Sequence, residues 1–431
     1  MSERRRPPLP EGPYLVVGLA RSGTAAASML RAHGEVIGVD TGRPQAPENL
    51  EAHLESDGVE LLDRVACVVK SPGVPREAPV IAAALERGLP VHGELELAWR
   101  ALPNPFLAVT GTNGKTTTAE LLGAIHRAAE LPVVVAGNVG TPLSSLAEEI
   151  DPGVHVICEV SSFQAEDSAE LRPECALLLN ITEDHLDRHG SFDAYREAKL
   201  RVFANQGKED VAVVPPGTDI PGDAGTVTFG GRYADLSLRD DAIRWHRDVL
   251  MHAREVRLRG AHNLENAMGA AAAALALGIP ASAVRAALAD FPGVPHRLEE
   301  VGTVGAVLYV NDSKATNVSS AVRGIEAFDG GVHAILGGSL KGGGFFGLRD
   351  AVTSRCKACY LIGEAAERLA ADLEGTVPLH RCGDLEAAMH AAARTAEPGD
   401  VILLSPACAS YDQYRDFEER GEHFRSLVPQ A

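Results

Sequence analysis

Residues 106–118, FLAVTGTNGKTTT, limit what this chain can fold into more than any other stretch. The apolar run Phe106, Leu107, Ala108, Val109 reads as a buried strand, Gly111 and Gly114 loosen the turn after it, and a helix is predicted from Lys115. Strand, glycine turn and helix N-terminus together make a phosphate cradle. Backbone N–H groups at such a helix start face an anion, Lys115 can reach the terminal phosphates, and the Thr116 hydroxyl can hold Mg²⁺. Gly111, Thr112, Asn113, Gly114, Lys115, Thr116 and Thr117 are therefore the candidate ATP contacts. The eight-residue P-loop pattern asks for glycine where Val109 stands, so the motif is a shortened variant. The competing reading, a plain Gly/Thr-rich turn, leaves the flanking strand and helix unexplained.

Composition says what kind of chain carries this loop. With 45% hydrophobic and 23% charged residues in 431, it has the profile of a globular protein with two or three domains' worth of core. Lys+Arg number 40 against 59 Asp+Glu, a net charge of −19, which argues against a nucleic-acid or anionic-membrane surface as partner. Anionic small molecules must then be captured by local devices. The 7 cysteines are scattered, as suits a reducing cytoplasm. Cys356 and Cys359 form a lone CxxC with no second pair, so neither metal nor redox work is assigned there. The basic start MSERRRPPLP is followed by no apolar h-region, and the longest apolar segment, 267–279, is too short for a bilayer. A cytoplasmic location, no membrane insertion and a monomer are expected.

In chain order, strand 14–17, Gly18, an Ala-rich helix to about residue 33 and a strand 36–39 ending at Asp40 give the outline of a Rossmann half. Ala20 replaces the middle glycine of GxGxxG, so a nucleotide-sugar phosphate in another pose fits better than NAD. A further strand, 66–69, runs into the turn Lys70-Ser71-Pro72-Gly73, which is either a ligand loop or a plain connection.

Around the phosphate loop, strands are expected at 133–136, 154–160 and 175–180, so the central sheet should be largely parallel, with its C-terminal ends along one edge. Asn138, Glu159 and His185 fall at those ends. A carboxylate one strand over from a P-loop is where a Mg²⁺ ligand belongs. The predicted helix 192–205 carries an apolar stripe of Phe192, Tyr195, Val202 and Phe203, and Lys199 lies on that stripe. Such a lysine either snorkels out or pairs with an acid, or it is a desolvated amine with a lowered pKa.

Asn263 and Asn266 are expected in the first turn of a long Ala-rich helix, able to cap it or to meet an adenine edge. Pro292, Gly293 and Pro295 suggest a hinge. The α/β alternation then repeats, with strands at 307–310, 332–336, 360–362 and 401–404. Polar loops follow three of them, NDSKATN from Asn311, GGSLKG from Gly337 and SPACASYD from Ser405. Three such loops on one sheet make a second binding face, which would have to close onto the ATP site. The fold class expected is α/β in three domains: an N-terminal Rossmann-like domain over 1–94, a central P-loop parallel-sheet domain over 95–293 and a C-terminal Rossmann-like domain over 294–431.

The loops TGTNGKTTT, EVSSFQ, NITEDHLDRH, AKLRVF, GAHNLEN, PHRLE, NDSKATN and SPACASYDQYRDFEERG occur in this order along the whole chain. In this the sequence resembles the Mur ligases of peptidoglycan synthesis. NDSKATN and SPACASYDQ are most similar to the branch that adds D-glutamate to UDP-N-acetylmuramoyl-L-alanine; a sibling Mur ligase or a folylpolyglutamate-type ligase is the alternative.

The resemblance implies an ATP-dependent amide-bond synthesis through an acyl phosphate. It places Lys115 on the β- and γ-phosphates, Thr116 and Glu159 on one Mg²⁺, and His185 with a carbamylated Lys199 on a second. Asn266, Arg297 and Asp312 would fix the adenosine, with Asn263 and His296 nearby, and Lys314 would neutralise the phosphoryl group. Gly18, Ser22, Asp40, Thr41 and Ser71 would hold the UDP part of the substrate, with Asn138, Ser161 and Gln164 along the muramoyl-alanine. Thr316, Lys341, Ser410, Tyr411 and Phe417 would receive D-glutamate. The sequence departs from the family pattern at GLARSG and at KGGGFF, which lacks an acidic residue common after the lysine. Two rivals of other classes stay open: a nicotinamide dehydrogenase resting on Gly18 to Asp40, and a P-loop switch without ligase activity.

Overall fold

The computed structural model describes residues 6–147, 149–340 and 343–429. Two compact units emerge: one reaching to Glu255 and taking in Glu265–Ala289, the other made of Val256–Leu264 and the described chain from Asp290 on.

The first unit holds two parallel sheets. In one, β1 (Tyr14–Val17), β2 (Val36–Asp40), β3 (Glu51–Leu54), β4 (Cys67–Lys70) and β5 (Val91–Gly93) lie in the order β3-β2-β1-β4-β5. In the other, β6 (Phe106–Thr110), β7 (Val133–Gly137), β8 (His155–Glu159), β9 (Cys175–Leu178), β10 (Val211–Val214) and β11 (Gly225–Thr228) lie in the order β11-β10-β9-β6-β8-β7. Every residue of β1 and β6 is buried, as expected for strands covered on both faces. One hydrophobic cluster runs from Tyr14, Val16 and Leu30 through Leu97 and Trp99 to Phe106, Ala108 and Val214, so the two sheets share core. A short antiparallel meander follows, β12 (Leu236–Arg239), β13 (Ala242–Trp245) and β14 (Asp248–His252).

The second unit is built on β15 (Glu299–Val304), β16 (Val307–Asn311), β17 (Val332–Gly337), β18 (Cys356–Ile362), β19 (Leu379–Gly383) and β20 (Val401–Leu404), in the order β15-β16-β20-β17-β18-β19. Only the β15–β16 pair is antiparallel. This order sets the ends of β16, β20 and β17 side by side, and with them the three polar loops.

Several expectations need correction. The helix predicted over 192–205 ends at Leu200 and continues as a 3-10 turn, Arg201–Phe203. The helix Ala261–Ala276 places Asn263 in its first turn but Asn266 in its second, so Asn266 is no cap. Strands β3, β5, β15 and β19 were not anticipated, whereas β10 to β14 fall in the stretch between Gly207 and Gly260 that reads as short β-type pieces. Cys356 and Cys359 belong to β18, and the seven cysteines are free thiols.

Candidate active site

The phosphate loop departs from a standard P-loop for a visible reason. Val109 stays in β6, fully buried, and the turn is made instead at Gly111, whose φ is +151°. Gly114, at φ +85°, is held to glycine by Asn266: a Cβ there would stand 2.1 Å from the Asn266 Oδ1 atom. The loop is pinned to the end of β9, since Thr112 N donates to Asn180 O at 3.0 Å and Asn113 N to Asn180 Oδ1 at 2.9 Å.

Around this loop the central candidates converge. Lys115 Nζ donates to Gly111 O and Thr112 O, both at 3.0 Å, and Lys199 Nζ donates to Gly111 O at 2.7 Å. Thr116 Oγ1 donates to Glu159 Oε2 at 2.7 Å, and Asn138 Nδ2 donates to Glu159 Oε1 at 3.0 Å. Thr117 is buried behind them. The register explains the gathering: Glu159 is level with Val109 on one side and Gly137 on the other.

Lys199 neither snorkels nor pairs with an acid. It is 2% exposed, its Nζ lies 4.7 Å from the Tyr195 ring centroid, and it makes no ion pair with a described carboxylate. Burial first, and the nearby Lys115 charge second, bring its pKa down to about 7. His185 is near the same ring, 6.5 Å from Tyr195 and 4.9 Å from Phe163 between centroids, in a left-handed backbone conformation at φ +51°. His189, which the sequence reading passed over, stacks on Phe163 and lies 5.3 Å from Tyr195. Its signal was present: His185 and His189 are four apart, flanking one short helix, Leu186–His189.

The first sheet keeps its own candidates busy. Ser71 Oγ donates to Gly18 O at 2.7 Å, and Asp40 accepts from Leu19 N and Gly42 N, each at 2.7 Å. Gly18 has φ +86°, and a Cβ at Gly23 would stand 1.8 Å from Gly18 O, so strand and helix touch there. Ser22 lies in the first turn of Arg21–Leu30, and Thr41 is exposed just after β2. Ser161 and Gln164 form a reciprocal capping box, Ser161 Oγ and N meeting Gln164 Oε1 at 3.0 Å. The S-x-x-Q spacing that announces such a box was legible in the sequence. Also unforeseen is a buried ion pair: Lys70 Nζ lies 2.6 Å from Asp167 Oδ2, without a well-aligned hydrogen bond to it.

In the second unit, Asn263 and Arg297 line one cavity of about 260 Å³ beneath Pro292–Pro295. Asp312 is buried, accepting from Ser405 Oγ at 2.7 Å and Leu298 N at 3.2 Å, and burial pushes its carboxyl up to about 7. His296 meets Asn311 Nδ2 at 3.0 Å through Nδ1, and its ring faces the edge of Phe417. Lys314 Nζ sits 3.6 Å over the Phe417 ring, a cation–π contact. Thr316 follows in the same loop, its N–H donating to Lys314 O at 2.8 Å. Ser410 is buried, whereas Tyr411 is 71% exposed. Lys341 lies outside the described residues.

Two family models match this sequence, Mur ligase middle domain over 109–274 and Mur ligase, glutamate ligase domain over 296–408. The UDP-N-acetylmuramoylalanine--D-glutamate ligase of Acidobacterium capsulatum is 42% identical over 439 residues, covering 96% of this chain and 95% of its own. The chain belongs to the Mur ligase family. A second relative of the same name, from Pelotomaculum thermopropionicum, is 40% identical and covers 96% of each chain. Among solved structures, UDP-N-acetylmuramate-alanine ligase MurC from Thermotoga maritima matches this Mur ligase with a TM-score of 0.61 at 18% identity, over 96% of this chain and 99% of its own. MurF ligase from Thermotoga maritima, in complex with ADP, matches with a TM-score of 0.60 at 18% identity, over 97% and 95%. At that identity these two speak for the shared α/β fold. Among the described residues of this Mur ligase, no helix is long and apolar enough to cross a membrane, and no group of three or more His, Cys, Asp or Glu is placed to hold a metal.

Proposed function

We propose that this chain is the ATP-dependent ligase that joins D-glutamate to UDP-N-acetylmuramoyl-L-alanine. The alanyl carboxylate attacks the γ-phosphorus of ATP, ADP leaves, and an acyl phosphate forms; the amine of D-glutamate then attacks the acyl carbon, and phosphate departs from a tetrahedral intermediate. Two anions must meet in the first step, so their charges have to be offset and their approach kept in line. The observation that carries the reading is the meeting of Lys115 and Lys199 on Gly111 O, beside Thr116 and Glu159.

In this reading Lys115 turns from the loop carbonyls to the β- and γ-phosphates, which Gly111 to Thr117 cradle. The Thr116–Glu159 pair fits Mg²⁺, a cation that keeps several waters and uses one or two carboxylates together with substrate phosphates. Bound there, Mg²⁺ would offset charge on the phosphates. As an ammonium Lys199 has only donors and fits no cation. Its lowered pKa leaves a large neutral fraction near neutral pH, which CO₂ can carbamylate, and the resulting carbamate would join His185 at a second Mg²⁺. Asn138 and Gln164, with Ser161, are assigned to the muramoyl-alanine, and Gly18, Ser22, Asp40, Thr41 and Ser71 to the UDP part. Asn263, Asn266, His296, Arg297 and Asp312 are assigned to the adenosine, Lys314 to the phosphoryl group, and Thr316, Lys341, Ser410, Tyr411 and Phe417 to D-glutamate. The working domains are 1–94, 95–293 and 294–431, in a cytoplasmic monomer.

Phosphate release in the presence of ATP, Mg²⁺ and UDP-N-acetylmuramoyl-L-alanine tests the reading, with D-Glu, L-Glu, L-Lys and meso-diaminopimelate compared as amino acids. Release dependent on the UDP-sugar and strongest with D-Glu is expected. Release with meso-diaminopimelate or L-Lys instead would move the chain to a sibling activity. ATP hydrolysis indifferent to both co-substrates would leave a nucleotide switch.

A further inference from the structure

Among the buried cations to which the roles assigned above give no part, one is held by neutral oxygens. Arg420, in the first turn of the helix Phe417–Leu427, is 1% exposed and is the largest fully buried side chain among the described residues. Its Nε donates to Ser313 Oγ at 3.0 Å, its Nη2 to Ser313 O at 2.9 Å and Cys408 O at 3.1 Å, and its Nη1 to Ala409 O at 3.2 Å and, at the long limit of 3.5 Å, to Gly337 O. All these acceptors are neutral oxygens, and Arg420 forms no ion pair with a described carboxylate. Asp412 is near enough for its charge to be felt, but its oxygens accept from Ser339 Oγ and Glu364 N.

The acceptors have one thing in common. They lie in the loops after β16 and β20 and at the last residue of β17, at the ends of three adjacent strands of the sheet. Cys408 and Ala409 immediately precede Ser410; Ser313 precedes Lys314 and Thr316; Gly337 opens the loop that leads to Lys341. Ser313 Oγ also donates to Phe417 O at 2.8 Å, which ties the first loop to the start of the Arg420 helix. Packing leaves little slack: a Cβ at Gly338 would stand 2.1 Å from Ala409 O and 3.0 Å from Arg420 Nη1. Burying a guanidinium is costly unless its donors are met, and a rigid fork of five N–H groups can bridge carbonyls of separate loops where a lysine ammonium cannot.

We propose that Arg420 is a positioning residue for the amino-acid substrate, holding the loops that carry Thr316 and Ser410 and the helix start at Phe417 in one arrangement. The proposal rests on the assignment of that face to the amino acid. Two full-length variants test it, Arg420→Lys, which keeps charge but loses the fork, and Ser313→Ala, which removes one acceptor and the link to Phe417. With each of the three substrates varied in turn, Arg420→Lys should raise the KM for D-glutamate by about tenfold or more. The KM values for ATP and for the UDP-sugar should stay within about twofold. Ser313→Ala should shift the same KM in the same direction by about threefold.

Equal rises in all three KM values, or a fall in kcat with every KM unchanged, would overturn the proposal, because a merely structural role would act on the whole enzyme. If Arg420→Lys shows no cooperative melting, Ser313→Ala decides: no selective rise in the amino-acid KM then counts against it. Should the wild type prefer another amino acid, the functional reading falls. The same variants measured with that amino acid still decide the role of Arg420.

Discussion

Lys115 and Lys199 meet on one oxygen: both ammonium nitrogens donate to the carbonyl of Gly111, at 3.0 and 2.7 Å. Like charges held this close in a buried place disfavour each other, and the more buried of the two gives way. That is Lys199, brought to about 7 by burial and by Lys115. A neutral amine is what carbamylation needs. Lys199→Ala should lose activity by about a hundredfold or more, and short-chain carboxylates supplied in solution should partly restore it by standing in for the carbamate. Phosphate release measured with and without acetate or propionate checks this, and no restoration at any concentration would count against a carbamate.

Glu159 offers a second test. Its two oxygens accept from Thr116 and Asn138, and it is 3% exposed. Glu159→Gln keeps the volume and removes the charge, so folding should change by no more than about 1 kcal/mol. Turnover should fall by about a hundredfold or more, with a higher Mg²⁺ concentration needed for half-maximal rate. A Mg²⁺ titration of the variant beside the wild type reads both effects. An unchanged Mg²⁺ requirement would remove Glu159 from the metal assignment.

The pair of Lys70 and Asp167 joins the end of β4 to the segment after the helix Ser162–Glu166, with side chains 0% and 4% exposed. Lys70 also donates to Val74 O at 2.8 Å, the carbonyl that Arg188 reaches at the same distance. Breaking such a pair strands a buried charge, so Lys70→Met should cost about 3–5 kcal/mol. The double variant Lys70→Met with Asp167→Leu should recover most of that loss. Chemical denaturation of the two variants checks it, and a double variant no more stable than Lys70→Met would mean that the stranded Asp167 carboxylate is not what destabilises the single variant.

Much of the fold was legible because its strands are short apolar runs ending at glycine or polar residues. β6, β8, β9 and β20 all fall within a residue of where Phe106, Val154, Cys175 and Val401 announced them. What stayed hidden has a common physical cause, namely pairing that local pattern does not encode. β15, with sequence EEVGTV, is an edge strand made by antiparallel pairing to β16, and its glutamates read as loop. Arg420 sits among Asp416, Glu418 and Glu419 in a run that reads as a solvated helix face. Its burial is decided by carbonyls at the ends of three distant strands. Lys199 was the exception, since an amine on a stripe with Tyr195 and Phe203 is anomalous from periodicity alone. Ser161 and Gln164 have, besides the ligand role expected of them, a local one that their spacing also announces: they engage each other as a helix cap.

Asp312 leads to a pH prediction whose sign follows from its burial. Its carboxyl has an ordinary value of 3.8 and is raised to about 7, burial outweighing the Ser405 and Leu298 hydrogen bonds and the Arg297 and Arg323 charges. Between those two values the folded chain holds a proton that the unfolded chain has released. Raising the pH through this window therefore favours unfolding, and the contribution of Asp312 to stability, complete below 3.8, is gone above about 7. The amide of Asp312→Asn mimics the protonated acid at every pH and can still accept from Ser405 and Leu298. In the ligand-free enzyme, the variant's melting temperature relative to wild type should be lowest at the acid end of a scan from pH 5 to 8.5, should climb from there to about pH 7 and should level off above it. The swing should be worth a few kcal/mol, since each pH step of one across the window contributes on the order of 1.4 kcal/mol. A difference that stays flat from pH 5 to 8.5 would mean that Asp312 ionises as an ordinary carboxylate, and the burial that sets it beside Ser405 would have to be redrawn.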